Sequence, residues 1–171
     1  MFNHTVISKQ VTINAPRELV WDILVDLKSY GEWNPFTHRV DSTLKVGDPI
    51  DLYVRMPKRG DRMQRERVKA VVAPMKLAWG MSMGAELVLK ALREQILVAV
   101  SDEVCTYQTT DKISGLLTPV VIKFFGEEME NGFNNMADAL KVHAENAYQS
   151  TKRKVGAVRR FGERQRTPTL P

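Results

Sequence analysis

The chain has 171 residues, of which 43% are hydrophobic and 26% are charged, and this predicts one soluble domain with a substantial core. A single cysteine, Cys105, excludes an internal disulfide and a cysteine-ligated metal cluster. No apolar run reaches the roughly 20 residues that a transmembrane segment needs, and the N-terminus lacks a signal-like apolar core, so we expect a cytoplasmic protein.

The positive charge is concentrated at the C-terminus. Residues 150–171 hold seven basic residues and one acidic residue, so this segment has a charge of +6. Since the whole chain has a net charge of +5, the remaining residues have a net charge of about −1. We therefore predict a folded domain over residues 1–148 and a basic, mobile tail over residues 149–171. The tail is interpreted either as solubilising or as a contact for an anionic partner, and no specific nucleic acid is expected.

The first part of the chain predicts a strand followed by two short helices. Alternating apolar residues indicate a strand over residues 2–13. Pro16 marks the start of a helix whose apolar face predicts an end near residues 28–29. Residues 30–35 predict a second short helical turn or a loop that ends at Pro35, in which Asn34 is expected to bond the loop backbone.

The middle of the chain predicts an antiparallel meander. Period-two alternation, interrupted by turn residues, indicates six further strands at residues 38–45, 50–56, 63–72, 76–83, 87–100 and 103–114. Adjacent strands joined by short turns pair antiparallel. With the N-terminal strand, this gives a sheet of about six to seven strands.

A long amphipathic helix is predicted over residues 120–148. Its apolar stripe has helical spacing and consists of Phe125, Met129, Phe133, Met136, Leu140, Ala144 and Ala147. A helix of this kind needs a surface to cover, because it is not stable alone. We therefore predict an α+β fold in which a curved antiparallel sheet wraps around the long C-terminal helix, with two short helices after the first strand.

Motifs near both ends of the chain resemble one known superfamily. The run Ile-Asn-Ala-Pro-Arg-Glu-Leu-Val-Trp starts at Ile13, and Tyr-Gly-Glu-Trp-Asn-Pro-Phe starts at Tyr30. Ser-Gly-Leu-Leu from Ser114 then precedes a helix that carries Gly132-Phe133. Over residues 4–148 this pattern is similar to the START-like helix-grip (SRPBCC) superfamily, which includes polyketide cyclase/dehydrase-type and lipid-transfer proteins.

The resemblance implies a hydrophobic cavity between the sheet and the long helix. Members of the superfamily bind lipids, sterols, polyketides or plant hormones, and some catalyse cyclisation or dehydration. Since a fold does not by itself carry a function, the residues must be considered one by one. The predicted cavity walls are Leu52, Tyr53, Val68, Trp79, Phe125, Met129, Phe133 and Met136. Each of these residues has the alternative interpretation of ordinary core packing.

Glu66 and Arg93 are the polar residues with the strongest functional signal. Glu66 alternates onto the face of its strand that also carries Val68, Ala70 and Val72, and Arg93 shares a face with apolar neighbours. A charge on an inward face is costly unless it is paired, so an inward pair predicts ligand orientation or acid–base chemistry. With Tyr53, these two residues are the catalytic candidates. The alternative is the opposite strand register, which would place both charges in water.

Other sites are not indicated by the sequence. The three histidines lack metal-ligand spacing, and nucleotide-binding and nucleophile-elbow motifs are missing, so neither a metal nor a cofactor is expected. The sequence therefore predicts a protein that binds a small hydrophobic molecule. The alternatives are a cyclase/dehydrase-type enzyme that uses the same cavity, and an interaction module that uses the tail and a basic hairpin comprising Arg55, Lys58, Arg59, Arg62, Arg65, Arg67 and Lys69.

Overall fold

The computed structural model describes residues 1–84 and 87–154 with their side chains, and the backbone of residues 155–164 within the last helix. The elements follow in the order β1 (Phe2–Ile7), β2 (Val11–Ile13), α1 (Arg17–Val25), α2 (Tyr30–Trp33), β3 (Thr37–Ser42), β4 (Pro49–Met56), β5 (Gly60–Val72), β6 (Lys76–Met83), β7 (Leu89–Ser101), β8 (Val104–Gly115) and α3 (Thr118–Arg164). A 3₁₀ turn, Leu27–Ser29, connects α1 to α2.

The sheet is antiparallel, in the strand order β1-β8-β7-β6-β5-β4-β3, and β2 also pairs with β8. The predicted α+β fold, a curved sheet that grips a long C-terminal helix, is therefore confirmed. The described part of the chain has eight strands because the predicted N-terminal strand is interrupted at Ser8. The Ser8 hydroxyl accepts a hydrogen bond from the Thr109 N–H at 3.0 Å, which ties the interruption to β8.

A bulge in β5 corrects the predicted strand faces. The pairing of β5 with β6 shifts between Val68 and Ala70. An extra residue reverses the alternation that follows it. Val71 therefore packs against the core and Val72 is 41% exposed, whereas the unbroken pattern had placed Val72 on the inward face.

The short helices close one end of the sheet. Helix α1 ends at Val25, before the predicted end near residues 28–29, because the chain turns there into the 3₁₀ segment. The Tyr30 hydroxyl donates a hydrogen bond to the Leu24 carbonyl at 2.9 Å and holds this turn. The expected loop role of Asn34 is confirmed, since its Oδ1 accepts hydrogen bonds from the N–H groups of residues 36 and 37.

Helix α3 lies across the sheet and buries the predicted apolar stripe. Phe133, Met136 and Leu140 are almost completely buried in the core. The helix does not end at the predicted residue 148 but continues to Arg164. Side chains beyond residue 154 and the whole of residues 165–171 lie outside the described residues, so the division into a domain and a tail stays a prediction. None of the helices in the described part of the chain combines the length and apolarity that a bilayer crossing requires.

Candidate ligand-binding cavity

A cavity of about 360 Å³ lies between the sheet and the first half of α3. Its volume falls in the range of small-molecule sites. The lining side chains come from β4 to β8, α3 and the segment before β3, and they are Phe36, Leu52, Val54, Met56, Arg62, Gln64, Arg65, Glu66, Trp79, Met81, Leu89, Ala91, Arg93, Asp111, Ile113, Val121, Phe125, Met129 and Phe133. The cavity thus has apolar walls and a small number of polar groups.

Aromatic rings form a large part of the wall. Phe36 and Phe133 meet edge to face, with ring centroids 5.7 Å apart. Trp79 reaches the cavity from β6, and Phe125 reaches it from α3. Rings of this kind provide flat apolar surfaces on which a planar or elongated ligand can pack.

Arg93 provides a buried positive charge at the cavity and is only 6% exposed, and Arg62 and Arg65 also line the cavity. Its Nε donates to the Thr109 hydroxyl at 3.3 Å, and its Nη2 lies 3.2 Å from the Met136 sulfur. The guanidinium carbon lies 4.2 Å from the Phe133 ring centroid. None of the ion pairs among the described residues includes Arg93. Its close contacts are with aromatic rings and neutral atoms, while Glu66 and Asp111 act on it electrostatically from a longer distance.

Two carboxyl groups face the same cavity. Asp111 in β8 is the register partner of Arg93 in β7, and Glu66 reaches the cavity from β5. One buried oxygen of each carboxyl, Glu66 Oε2 and Asp111 Oδ1, has no hydrogen-bond partner among the described residues. Burial raises the pKa of Glu66 to about 7, and the neighbouring Asp111 charge adds to the rise. Burial also raises the pKa of Asp111 to about 6, although Arg93 opposes this shift.

The indole of Trp79 adds a third unsatisfied group. Its Nε1 is buried and has no acceptor among the described residues. Buried polar groups of native proteins are almost always hydrogen-bonded. Three such groups around one cavity therefore indicate that a ligand or bound water completes their hydrogen bonding.

Most of the predicted wall residues do line the cavity. Leu52, Trp79, Phe125, Met129 and Phe133 do so, as do the polar candidates Glu66 and Arg93, which both point inward as predicted from the strand alternation. The opposite register is wrong for both charges. What each residue does for a ligand stays a prediction.

Three predicted residues lie elsewhere. Val68 is buried in the core, and Met136 lies behind Arg93 and contacts its guanidinium. Tyr53 points away from the cavity, because it neighbours the inward Leu52 in a strand whose side chains alternate. The guanidinium of Arg39 lies 4.7 Å from the Tyr53 ring centroid on that outer face.

The sequence reasoning missed Asp111 and Phe36. Asp111 had a readable signal, since the buried alternation of Cys105, Tyr107 and Thr109 in β8 continues directly to it. Phe36 follows the Asn34-Pro35 turn, and no periodic pattern marks a residue in such a loop. Its position results from the way the loop folds against α3.

The predicted basic hairpin is largely neutralised by nearby acids. Arg65 donates two hydrogen bonds of 2.7 Å to Asp51, which holds the pKa of that carboxyl below its ordinary value. Lys58 pairs with Glu127 at 3.0 Å, and Arg59 reaches Glu128 at 3.4 Å. The hairpin therefore presents much less free positive charge than its sequence suggests.

No cluster of metal-ligating side chains occurs within the described residues. The buried Cys105 lies apart from the cavity lining, and burial raises its pKa to about 11. Thiolate chemistry at neutral pH is therefore disfavoured at Cys105. The buried polar groups of the cavity are the two carboxyl groups, the Arg93 guanidinium and the Trp79 indole.

Comparisons with known proteins agree with this architecture. The family model described as polyketide cyclase/dehydrase and lipid transport matches residues 4–141. No curated protein matches the sequence. Among solved structures, the ZhuI aromatase/cyclase from Streptomyces sp. R1128 superposes with a TM-score of 0.68 at 18% identity, over 84% of this chain and 94% of that one.

Two further solved structures have the same fold. A START superfamily protein from Mycobacterium smegmatis gives a TM-score of 0.62 at 20% identity, over 84% of this chain and 99% of its own. Norcoclaurine synthase from Thalictrum flavum gives 0.64 at 14% identity, over 85% of this chain and 96% of its own. At these identities the likeness concerns the fold.

Proposed function

Because the chain belongs to the polyketide cyclase/dehydrase and lipid transport family, we propose that it binds a small, largely apolar molecule in the cavity between its sheet and α3. The observation that carries this proposal is the cavity of about 360 Å³ with aromatic walls and three unsatisfied polar groups. These groups offer a ligand hydrogen-bonding partners that the described residues leave unused.

The polar groups favour a ligand that brings hydrogen-bond donors. An ionised carboxylate only accepts hydrogen bonds, so a hydroxyl of the ligand can satisfy Glu66 or Asp111. A ligand carboxylate placed next to Glu66 and Asp111 would add a third acid to this part of the cavity, which is electrostatically unfavourable. The N–H groups of Arg93 that face the cavity suit a carbonyl or ether oxygen. We therefore propose a ring-containing ligand with hydroxyl and carbonyl groups as the class that fits best.

A matched probe series tests this assignment. Naphthol, methoxynaphthalene and naphthoate share one ring system but present a donor, an acceptor and an anion. We expect naphthol to bind about ten-fold more tightly than the other two, as measured by calorimetry, because only naphthol satisfies a cavity carboxyl without adding charge. Equal affinity for all three would contradict the donor preference, and no binding of any of them would contradict the cavity proposal itself.

Two variants locate the bound probe. Glu66→Leu removes one of the two carboxyl acceptors at the cavity and should reduce the preference of the protein for naphthol over methoxynaphthalene. Tyr53→Phe removes a hydroxyl on the outer face and should leave both affinities unchanged. If Tyr53→Phe altered the preference as strongly as Glu66→Leu, the probe would occupy a different site.

An enzyme that acts on the same ligand is the second candidate. The specific observation is the pair of carboxyls with pKa values of about 7 and 6, which lets one give and the other take a proton near neutral pH. The likeness to an aromatase/cyclase and to norcoclaurine synthase supports an activity of this general kind.

The variant Glu66→Gln distinguishes an enzyme from a carrier. A compound that copurifies with the protein, identified by native mass spectrometry, serves as the test ligand. If the protein is an enzyme, the wild type converts this compound and Glu66→Gln still binds it without converting it. If the protein is a carrier, the compound is recovered unchanged from both proteins.

A further inference from the structure

An exposed apolar surface lies at the beginning of α3. It consists of six side chains that are each between 39% and 57% exposed, and we call it the apolar rim: Phe2, Leu87, Leu116, Leu117, Val120 and Phe124. Single exposed apolar residues are ordinary, whereas a group of large ones marks a contact surface.

Backbone hydrogen bonds hold the members of the rim together. The N–H of Leu116 donates to the Leu87 carbonyl and the N–H of Leu117 donates to the Val88 carbonyl, each at 3.0 Å. Phe2 is tied to the same corner, because its carbonyl accepts a hydrogen bond from the Thr118 hydroxyl at 3.4 Å. The rim is therefore a built part of the fold.

The rim is continuous with the cavity. Leu117, Val120 and Phe124 share one side of the first helical turns, while Val121 and Phe125, on the adjoining side of the same turns, line the cavity. A ligand that leaves the cavity at this end therefore passes directly onto an apolar surface.

Basic side chains lie beside the rim. Residues 112–126 contain two lysines and no acidic residue, and of these lysines Lys112 pairs with Glu94 at 2.8 Å. The guanidinium of Arg59 lies 5.7 Å from the Phe124 ring centroid, and that of Arg62 lies 5.3 Å from the Phe125 ring centroid. The nearest acids on α3, Glu127 and Glu128, pair with Lys58 and Arg59. Apolar side chains with basic neighbours complement a lipid surface that carries negative headgroups.

We propose that the apolar rim docks the protein onto an anionic lipid bilayer, with the end of the cavity against the membrane. Apolar side chains enter the boundary between headgroups and acyl chains, and Lys123 and Arg62 stay at the headgroup level. This orientation lets an apolar ligand move between bilayer and cavity without crossing water. A bilayer fits the rim better than a protein partner, because the six rim side chains have no hydrogen-bonding groups with which to set a register.

Cosedimentation with vesicles tests the proposal. The full chain is mixed with vesicles of phosphatidylcholine, with and without phosphatidylserine. We expect the wild type to bind both, and to bind the vesicles with phosphatidylserine more tightly. The double variant Val120→Glu/Phe124→Glu should lose about ten-fold or more in affinity for both, because it replaces two inserting side chains by charges. Both positions are exposed, so the variant should keep the wild-type circular dichroism spectrum.

Two controls make the result specific. Val98→Glu/Val100→Glu places the same charges on exposed positions at the other end of β7 and should bind vesicles as the wild type does. A chain that ends at residue 154 removes most of the C-terminal arginines and should still bind phosphatidylcholine vesicles.

Three results would overturn docking by the rim. The wild type could fail to bind either kind of vesicle, or the Val120→Glu/Phe124→Glu variant could bind as well as the wild type. The third is a wild-type dimer, seen by analytical ultracentrifugation, that this variant dissociates, because the rim would then be covered by a second copy of the chain.

Discussion

Glu66, Asp111 and Arg93 form a cluster of largely buried charges at the cavity, in which two carboxyl groups lie near one buried guanidinium. The guanidinium interacts with rings and neutral atoms, and the two carboxyl groups each keep a buried oxygen without a partner among the described residues. The fold can hold such a set only if a carboxyl stays protonated or a ligand supplies the missing partner. The pH dependence of stability reports on the first possibility.

Glu66 should destabilise the folded protein as the pH rises. Its folded pKa of about 7 lies above the ordinary value of 4.5, so between these two pH values the folded state binds more protons than the unfolded state. The free energy of unfolding therefore falls from pH 4.5 to 7 and is constant above that range as far as Glu66 is concerned. Glu66→Gln should remove the contribution of Glu66 to this fall and leave the part that the raised pKa of Asp111 causes between pH 3.8 and about 6. The variant should be more stable than the wild type above pH 7, by on the order of 3 kcal/mol.

Urea unfolding at a series of pH values measures this effect. Glu103→Gln is the control, because hydrogen bonds from Tyr148 and Lys152 hold the pKa of that exposed carboxyl below its ordinary value. This variant should keep the fall in stability between pH 4.5 and 7. If the wild type and Glu66→Gln were equally stable at every pH, Glu66 would titrate as an ordinary surface acid.

The sequence indicates these charges only as far as the strand alternation is regular. Glu66 and Arg93 were predictable because each lies in an uninterrupted part of its strand, and Asp111 was predictable by the same rule in β8. The positions of Val72 and Phe36 were not, since a bulge reverses the first and a loop sets the second. Tyr53 was assigned to the wall for its chemistry, against the alternation that places it outside.

Helix α3 packs closely against the segment before β3 at Gly132. A β-carbon at this position would lie 2.1 Å from Cδ2 of Phe36, which is far inside van der Waals contact. Glycine in a helix normally costs about 1 kcal/mol relative to alanine. Here it is required, because the Phe36 ring occupies the space and at the same time lines the cavity.

Gly132→Ala should therefore destabilise the protein although it improves helix propensity. We expect a loss of about 1–3 kcal/mol in the free energy of unfolding, together with weaker binding of naphthol, because the displaced ring intrudes on the cavity. Gly126→Ala is the matched control on the same helix. Its nearest contact would be the Ile122 Cγ2 at 3.2 Å, so its stability should stay within about 1 kcal/mol of the wild type. Equal effects of the two variants would contradict the close packing of Gly132.

The turn between β4 and β5 is fastened to α3 beside the cavity. Arg59 donates a hydrogen bond to the Phe124 carbonyl at 3.0 Å, and its guanidinium lies 4.6 Å from the Phe125 ring centroid. The N–H of Lys58 donates to the buried Glu128 carboxylate at 3.2 Å. Sheet and helix are thus connected by contacts that must be broken if the cavity opens on this side.

Arg59→Ala should speed ligand release. Loss of the guanidinium removes the hydrogen bond to α3 and leaves Glu128 without its ion pair, so opening becomes easier. We expect the dissociation rate of naphthol, measured by stopped-flow fluorescence, to rise several-fold. Arg55→Ala is the control, since that exposed side chain makes only a 3.8 Å contact with Asp61 in the same hairpin. Unchanged release from Arg59→Ala would show that the ligand leaves by another side.

The architecture of the whole chain was predictable because its two periodicities are distinct. Period-two strands followed by one long helical stripe allow few arrangements, and the antiparallel sheet around α3 is the one that buries both apolar faces. Boundaries were less predictable, since local turns at Ser8 and after Val25 interrupt elements whose apolar pattern continues. The predicted end of the folded domain at residue 148 depends on a boundary of this kind.

A truncation series tests where the folded domain ends. Tyr148 packs against the core and its hydroxyl donates a 2.6 Å hydrogen bond to Glu103, and Lys152 lies 2.9 Å from the same carboxylate. If stability ends with these contacts, a chain that stops at residue 154 should melt within about 2 °C of the full chain, because it keeps all of them. A chain that stops at residue 147 loses both contacts with Glu103 and the apolar packing of Tyr148, so it should melt several degrees lower.

Thermal unfolding followed by circular dichroism measures both shifts. A large loss on stopping at residue 154 would show that the basic segment belongs to the folded unit, since only contacts made beyond that residue could account for it.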